Sequence, residues 1–210
     1  MTKLYFIRHP KIGLNVGTKF VGQRTDAEAS LNEPELNALW SKLRDKIISS
    51  IFTSPLRRCL DTARRIQEKS GIPQITIDNN LKEIDYGEAD GKDLEFLKKN
   101  YPRIIREWSE GKDPRFPGGE NYADVLQRVN SFLANFKKGL KQNCVVFTHN
   151  VFLRVLLGSQ LNIPRNRWYK IRIEHLDPYE VIVTRDGKVF VNLSKEQSDN
   201  LFSSLCVQTK

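Results

Sequence analysis

Leu4-Tyr5-Phe6-Ile7-Arg8-His9-Pro10 is the stretch that decides the fold. Four apolar residues in a row are too few for a buried helix, and Pro10 closes the run. The segment therefore reads as a buried strand. It delivers a guanidinium and an imidazole together at its C-terminal end, which in open α/β sheets is where ligands sit. A second apolar run, Cys144-Val145-Val146-Phe147-Thr148, also ends on a histidine, His149. Two strand-end histidines with an arginine beside them suit phosphoryl transfer.

Working outward, apolar runs alternate with helical periodicity, which predicts an α/β fold with a largely parallel sheet. A long polar loop, Pro10 to Ser30, follows the first strand. Asn32 with Pro34 opens a helix through Leu36, Leu39, Trp40 and Leu43. The second strand is expected at Ile47 to Thr53. Ser54-Pro55 reads as a helix start, a capping hydroxyl followed by proline at the first helical position. Leu56, Cys59, Leu60, Ala63 and Ile66 give that helix its apolar face. Ile75 to Ile77 is a short third strand. Residues 86–119 are charged and broken by Gly and Pro, and read as an insertion of short helices over the catalytic end of the sheet. Gly118-Gly119-Glu120-Asn121 opens a further helix, and another runs near Val151 to Leu161. Val181-Ile182-Val183 and Val189-Phe190-Val191 flank Asp186-Gly187, the signature of an edge hairpin. The tail from 195 to 210 is polar, and is expected to dock loosely or be disordered.

The chain has 210 residues, 39% of them hydrophobic, which suits one domain (residues 1–194) with an insertion. No apolar stretch approaches a membrane span, and no basic-then-apolar leader follows Met1. Cys59, Cys144 and Cys206 lack metal-ligand spacing and are expected as reduced, mostly buried thiols of a cytoplasmic protein. The net charge of +9 suits an anionic small-molecule substrate. The basic residues are scattered, without an arginine-rich arm, which disfavours nucleic acid.

Five motifs, in order, carry a resemblance. They are Arg8-His9; Ser54-Pro55-Leu56-Arg57-Arg58-Cys59-Leu60-Asp61-Thr62-Ala63; Leu81-Lys82-Glu83 with Gly87; Pro117-Gly118-Gly119-Glu120; and Phe147-Thr148-His149. Together they resemble the histidine phosphatase superfamily, in its phosphoglycerate-mutase-like branch, from about residue 3 to about 193. The resemblance implies a three-layer α/β/α sandwich around a mostly parallel mixed sheet. The helical insertion would cover the C-terminal ends of the strands. It also implies a phosphomonoester hydrolase acting on a small phosphorylated metabolite through a phosphohistidine, with no cofactor and no metal.

In this resemblance His9 is the nucleophile and His149 the second imidazole at the phosphoryl group. Glu83 gives a proton to the leaving alkoxide and then activates water. Arg8, Arg58 and Asn15 bind the phosphate. The physical demands agree. A phosphomonoester dianion repels nucleophiles, so catalysis needs charge neutralisation and in-line positioning. Arginine forks and a helix N-terminus supply the first. Arg57 is expected to be the solvated neighbour of Arg58, because Leu56, Cys59, Leu60 and Ala63 set the buried face. Asp85 competes with Glu83, but the Leu-x-Glu-x-x-x-Gly spacing favours Glu83. Glu120 is expected to cap its helix, and His175 to be a loop or strand residue rather than a third catalytic histidine. Tyr101, Arg103, Arg106, Trp108, Lys112 and Arg115 read as a helix surface that is also a candidate substrate reader.

The chain departs from the family where glycine usually follows each histidine, having Pro10 and Asn150 instead. Lys11 and Ile12 replace a common glutamate and threonine. The residues after Glu83 resemble phosphatase members more than mutases. The loop from Val16 to Asp26 is similar to that of alpha-ribazole phosphatases, making alpha-ribazole phosphate a candidate substrate. The alternatives are a phosphoglycerate mutase, or a non-catalytic phosphate- or nucleic-acid-binding protein on the same fold. Assembly as a homodimer stays open.

Overall fold

The computed structural model describes residues 1–13, 19–136 and 142–206. Asn15 and the start of the Val16–Asp26 loop lie outside them. The first strand, β1 (Thr2–Arg8), sits inside a six-stranded sheet. The others are β2 (Ile48–Thr53), β3 (Ile75–Ile77), β4 (Asn143–Thr148), β5 (Pro178–Val183) and β6 (Val189–Asn192). Their order is β3-β2-β4-β1-β5-β6. β3, β2, β4 and β1 are mutually parallel, while β5 runs against both β1 and β6. The hairpin expected around Asp186-Gly187 forms the sheet edge.

Alternation along β1 feeds two cores. Leu4 and Phe6 face one side, packing with α5 (Tyr122–Ala134) and α6 (Asn150–Gln160). Tyr5 and Ile7 face the other, with α1 (Glu33–Leu43) and α2 (Arg57–Ser70). This is the expected three-layer sandwich. Phe6 meets Phe132 edge-on with ring centroids 5.9 Å apart and stacks on Phe152 at 6.2 Å. Each such buried aromatic contributes about 1.5–3 kcal/mol. α6 is buried nearly all round. Its Gly158 lets Trp168 approach so closely that an added Cβ would lie 2.4 Å from the indole.

Helix α1 starts as expected, with an Asn32–Glu35 capping box and Pro34 in the first turn. Helix α2 does not start at Ser54-Pro55. Ser54 N–H still donates to Phe147 O (3.0 Å), so the chain stays laddered to β4 there. Leu56 is extended and caps the helix, which begins at Arg57. The Ser54 hydroxyl instead serves the site. Ile47, expected to open β2, is an exposed left-handed residue before it.

The insertion consists of a short 3-10 turn (Gly87–Ala89), α3 (Leu94–Asn100) and α4 (Pro102–Ser109). The polar tail is more ordered than expected. Lys195–Cys206 form α7, whose Leu201 reaches the core. Cys59 and Cys144 are free and buried; the Cys206 side chain lies outside the described residues. Among the described residues no helix is long and apolar enough to cross a membrane.

Candidate active site

The register of β1 and β4 builds the centre. Arg8 pairs with Thr148, so the next residues, His9 and His149, leave adjacent parallel strands side by side. Strand spacing alone then sets the imidazoles about 5 Å apart; the ring centroids are 5.2 Å apart. His9 N–H continues the ladder to Thr148 O (3.1 Å).

His9 Nδ1–H donates to Pro10 O at 2.7 Å. This shows what the Pro10 departure costs the His9 ring. The ring needs the carbonyl of residue 10, which proline keeps, and not its missing N–H. With Nδ1 protonated, Nε2 carries the lone pair. Burial and the nearby Arg58 and Arg8 charges push His9 well below the usual histidine pKa, so it is neutral near pH 7.

His149 is held on both sides. Arg58 Nε–H donates to its Nδ1 (3.1 Å), which leaves Nε2–H to donate to Ser54 Oγ (2.8 Å). Burial, then Arg58, lowers its pKa as well. The structure thus ties the second histidine to Arg58 and Ser54, and the sequence reading had not foreseen either tie.

Arg58 is fully buried in the first turn of α2. Besides His149 it donates to Thr25 O (2.9 Å) and Gly22 O (3.0 Å). It therefore fastens the loop after β1 over the site. Arg57 is exposed and ion-paired with Glu28, which agrees with the reading of the helix face. Arg8 donates Nη1–H to Ile173 O (2.8 Å), while its buried Nε–H has no partner among the described residues. Burial lowers its pKa to about 10, against the pull of Glu83; it stays cationic at neutral pH.

Glu83 is buried beside the N-terminus of α6. Its Oε1 accepts from Val151 N–H (3.0 Å) and Ile84 N–H (3.1 Å). Burial raises its pKa, partly opposed by Arg58, the Ile84 amide and Arg8. Asp85 is no rival, since its carboxylate is engaged by Arg24 and the Gly87 amide. Gly87 has φ +58°, and a Cβ there would lie 1.9 Å from Pro117 O. Only glycine lets the Glu83 loop pack against the Pro117-Gly118-Gly119 loop.

Glu120 does not cap α5; Asn121 does, in a capping box with Asp124. Glu120 instead holds Arg128 through two 2.9 Å contacts. Arg128, missed in the sequence, also donates to the carbonyls of Asn80 and Lys82 (both 2.7 Å), anchoring the segment that carries Glu83. A charge set between Val125 and Val129, at the border of an apolar helix face, was the available signal. His175, read as a loop or strand residue, forms an isolated bridge with Arg8, its ring lies 5.7 Å from that of His9, and its Nδ1–H donates to His9 O (2.6 Å). No local sequence signal showed this, because the contact spans 166 residues. Of the insertion candidates, Trp108 and Lys112 line a cavity whose wall also includes Ile84 and Val151, the residues whose amides hold Glu83. Arg103 and Arg115 are ion-paired with Glu107 and Asp124, and Tyr101 with Glu88 by a hydrogen bond. Among the described residues no cluster of His, Cys, Asp and Glu could hold a metal ion.

The histidine phosphatase superfamily (branch 1) family model matches residues 4–196. The chain belongs to this superfamily. A phosphoserine phosphatase of Hydrogenobacter thermophilus is 27% identical over 184 residues, 87% of this chain and 86% of its own. A probable phosphoglycerate mutase, GpmB, of Salmonella choleraesuis is 26% identical over 178 residues, 83% and 82% of the two chains. Among solved structures, a phosphoserine phosphatase variant from Entamoeba histolytica superposes with a TM-score of 0.77 at 22% identity, over 92% of this chain and 96% of that one. The alpha-ribazole phosphatase of Shigella flexneri gives 0.75 at 20%, over 91% and 95%. These structural likenesses establish the shared fold.

One prediction separates the two neighbouring arginines. With Arg58 expected to bind the phosphate, Arg58→Ala would remove a charge-assisted fork worth about 2–4 kcal/mol to the transition state, and kcat/KM for p-nitrophenyl phosphate is expected to fall by about 30- to 1000-fold. Arg57→Ala loses only an exposed ion pair, and about threefold or less is expected. Steady-state kinetics of the two variants, with circular dichroism to check folding, decides it. A reversed order of severity would mean that the wrong arginine faces the phosphate.

Proposed function

We propose that this protein hydrolyses phosphomonoesters of small molecules through a phosphohistidine on His9. The observation that carries the reading is the state of His9. It is neutral, its Nδ1–H is fixed on Pro10 O, and its Nε2 lone pair lies beside Arg8 and Arg58. Arg8 and Arg58 offset the charge of the phosphoryl group. His9 Nε2 attacks phosphorus in line; the N–P bond forms as the P–O ester bond breaks. Protonated Glu83 gives its proton to the departing alkoxide oxygen. The Glu83 carboxylate then takes a proton from water, whose oxygen attacks phosphorus. The N–P bond breaks, and inorganic phosphate leaves with the lone pair restored to Nε2.

Hydrolysis is favoured over mutase chemistry by the short segment after Glu83, which is a single 3-10 turn before α3. The alpha-ribazole ester remains one candidate substrate. The test is direct. Protein treated with EDTA is expected to release nitrophenol and phosphate from p-nitrophenyl phosphate with undiminished rate, and without 2,3-bisphosphoglycerate. Turnover only of phosphoglycerates, dependent on the bisphosphate, would favour the mutase. No turnover of any phosphomonoester would leave a phosphate-binding protein.

A further inference from the structure

A chamber of about 550 Å³ opens beside Glu83, within the range of sites that hold drug-sized ligands. Ile84 and Val151 form part of its lining, and their amides are the two that hold the Glu83 carboxylate. In the proposed reaction, an alcohol that takes its proton from Glu83 thus leaves from a carboxylate held by two residues of the chamber lining. Phe20, Tyr86, Trp108, Phe116, Tyr122 and Tyr169 give it aromatic walls. The rings brace one another edge to face, with Tyr86 and Trp108 lying 4.8 and 5.2 Å from Phe116. Such walls suit a planar, ring-sized body.

The charges in the chamber are uneven. Arg165 is ion-paired with Asp113 (3.4 Å), and Lys112 with Glu110 (2.6 Å). The Asp113 carboxylate also accepts from the Tyr122 and Ala123 amides at the start of α5. Arg154, the one charged residue of α6, is different. Its Nε–H donates to Ile171 O (2.8 Å), which fixes the head group. Among the described residues it has no carboxylate partner. It is half-buried, and near enough to Arg8 for the two charges to act on each other.

We propose that this chamber selects phosphomonoesters whose alcohol is ring-sized and carries a carboxylate, and that Arg154 is the residue that reads the carboxylate. The inference rests on the phosphatase reading above and deepens it. A guanidinium fork held through Nε presents its two remaining nitrogens to a planar carboxylate. A single negative charge balances this single cation. A second phosphate dianion would leave excess negative charge beside Glu83 among aromatic walls. An ammonium group fares worse, because the lining acid, Asp113, is already engaged. The small, zwitterionic alcohol of phosphoserine therefore fits this chamber poorly, in contrast to the substrate named for the Hydrogenobacter relative.

The test compares benzyl phosphate with 4-carboxybenzyl phosphate, which differ only in the carboxylate. Wild type is expected to prefer the carboxylated ester by about 10- to 100-fold in kcat/KM, mostly through KM. Arg154→Gln is expected to bring the ratio near one. Arg154→Lys, a point charge without the fork, keeps a reduced ratio. Arg64→Gln, on the exposed face of α2, leaves the ratio unchanged. Phosphoserine is expected to be the poorest of the three esters. The same ratios are read without turnover, by calorimetric binding of the matching phosphonates. If no ester is hydrolysed but the phosphonate preference depends on Arg154, the phosphatase reading fails and the chamber assignment stands. Equal binding of the two phosphonates by wild type, or a preference that survives Arg154→Gln, overturns the assignment. Should Arg154→Gln not fold, an undiminished preference in Arg154→Lys overturns it equally.

Discussion

His9→Ala is expected to abolish phosphatase turnover, by at least about 10⁴-fold, the scale on which removing a covalent nucleophile acts. No neighbouring group replaces it. Both His149 nitrogens are engaged, Nδ1 by Arg58 and Nε2 by Ser54. His175 holds its Nδ1–H on His9 O and lies one ring away, on the segment before β5 that bridges Arg8 at the end of β1. Cys59, 3.4 Å from His149 Nε2, is buried, and burial raises its thiol pKa far above neutrality, so it offers no thiolate. His9 is more enclosed than a strand-end position suggests, being only 4% exposed. Its loss leaves Pro10 O without a donor, at a cost of about 1–3 kcal/mol, so the variant is expected to fold with a lowered melting temperature. The check is a pair of measurements. Rapid quench with a ³²P-phosphomonoester is expected to label wild type with an acid-labile, base-stable adduct and to leave His9→Ala unlabelled. A folded His9→Ala protein that turns over normally would end the phosphohistidine mechanism.

Most of the fold could be read from the sequence because the strands are short unbroken apolar runs that end in polar, chemically distinctive residues. β1 and β4 are both of this kind, and the parallel pairing of two such runs brings His9 and His149 together without further information. The helix face of α2 was legible for the same reason. Apolar spacing at Cys59, Ala63 and Ile66 defines a buried stripe and puts Arg58, not Arg57, toward the sheet. Local patterns failed where long-range contacts decide. Ser54-Pro55 has the composition of a cap, but β4 keeps Ser54 in the ladder and His149 takes its hydroxyl, so the helix starts later. Glu120 has the position of a cap, but the Arg128 fork outcompetes a helix dipole. The tail is polar on average, but Leu201 in the core, Leu205 packed against it and Gln197 donating to Asp177 and Pro178 O dock it. Arg154 was the most visible unused signal, a lone charge in Val151-Phe152-Leu153-Arg154-Val155-Leu156-Leu157. A helix that apolar does not place an arginine at random, and only the chamber shows what it faces.

Glu83→Gln is expected to divide substrates by their leaving groups. An alkoxide is a poor leaving group and needs a proton as the P–O bond breaks; a nitrophenolate needs little help. Removing the acid is therefore expected to slow His9 phosphorylation by alkyl phosphates about 10²- to 10⁴-fold, and by p-nitrophenyl phosphate much less. The second step needs the same carboxylate as base, so the phosphohistidine is expected to accumulate from p-nitrophenyl phosphate in the variant. Asp85→Asn does neither, because Asp85 braces Arg24 and the Gly87 amide. The pH profile follows from the directions of the two pKa shifts. Burial raises the Glu83 pKa, so its acid form survives to higher pH than that of an ordinary carboxyl. Alkyl phosphate turnover by wild type is expected to fall as pH rises through that raised value. Burial and two arginines lower the His9 pKa, so the nucleophile stays neutral as pH falls past 6.5, and the acidic limb appears only well below it. Single-turnover phosphorylation by p-nitrophenyl phosphate in Glu83→Gln keeps the acidic limb and loses the other. Glutamine keeps the shape of the side chain and one carbonyl oxygen for the Val151 and Ile84 amides, so a general collapse of the site would not give this split. Equal losses on alkyl and aryl esters, with no change in the lifetime of the intermediate, would make Glu83 a structural residue that holds the start of α6.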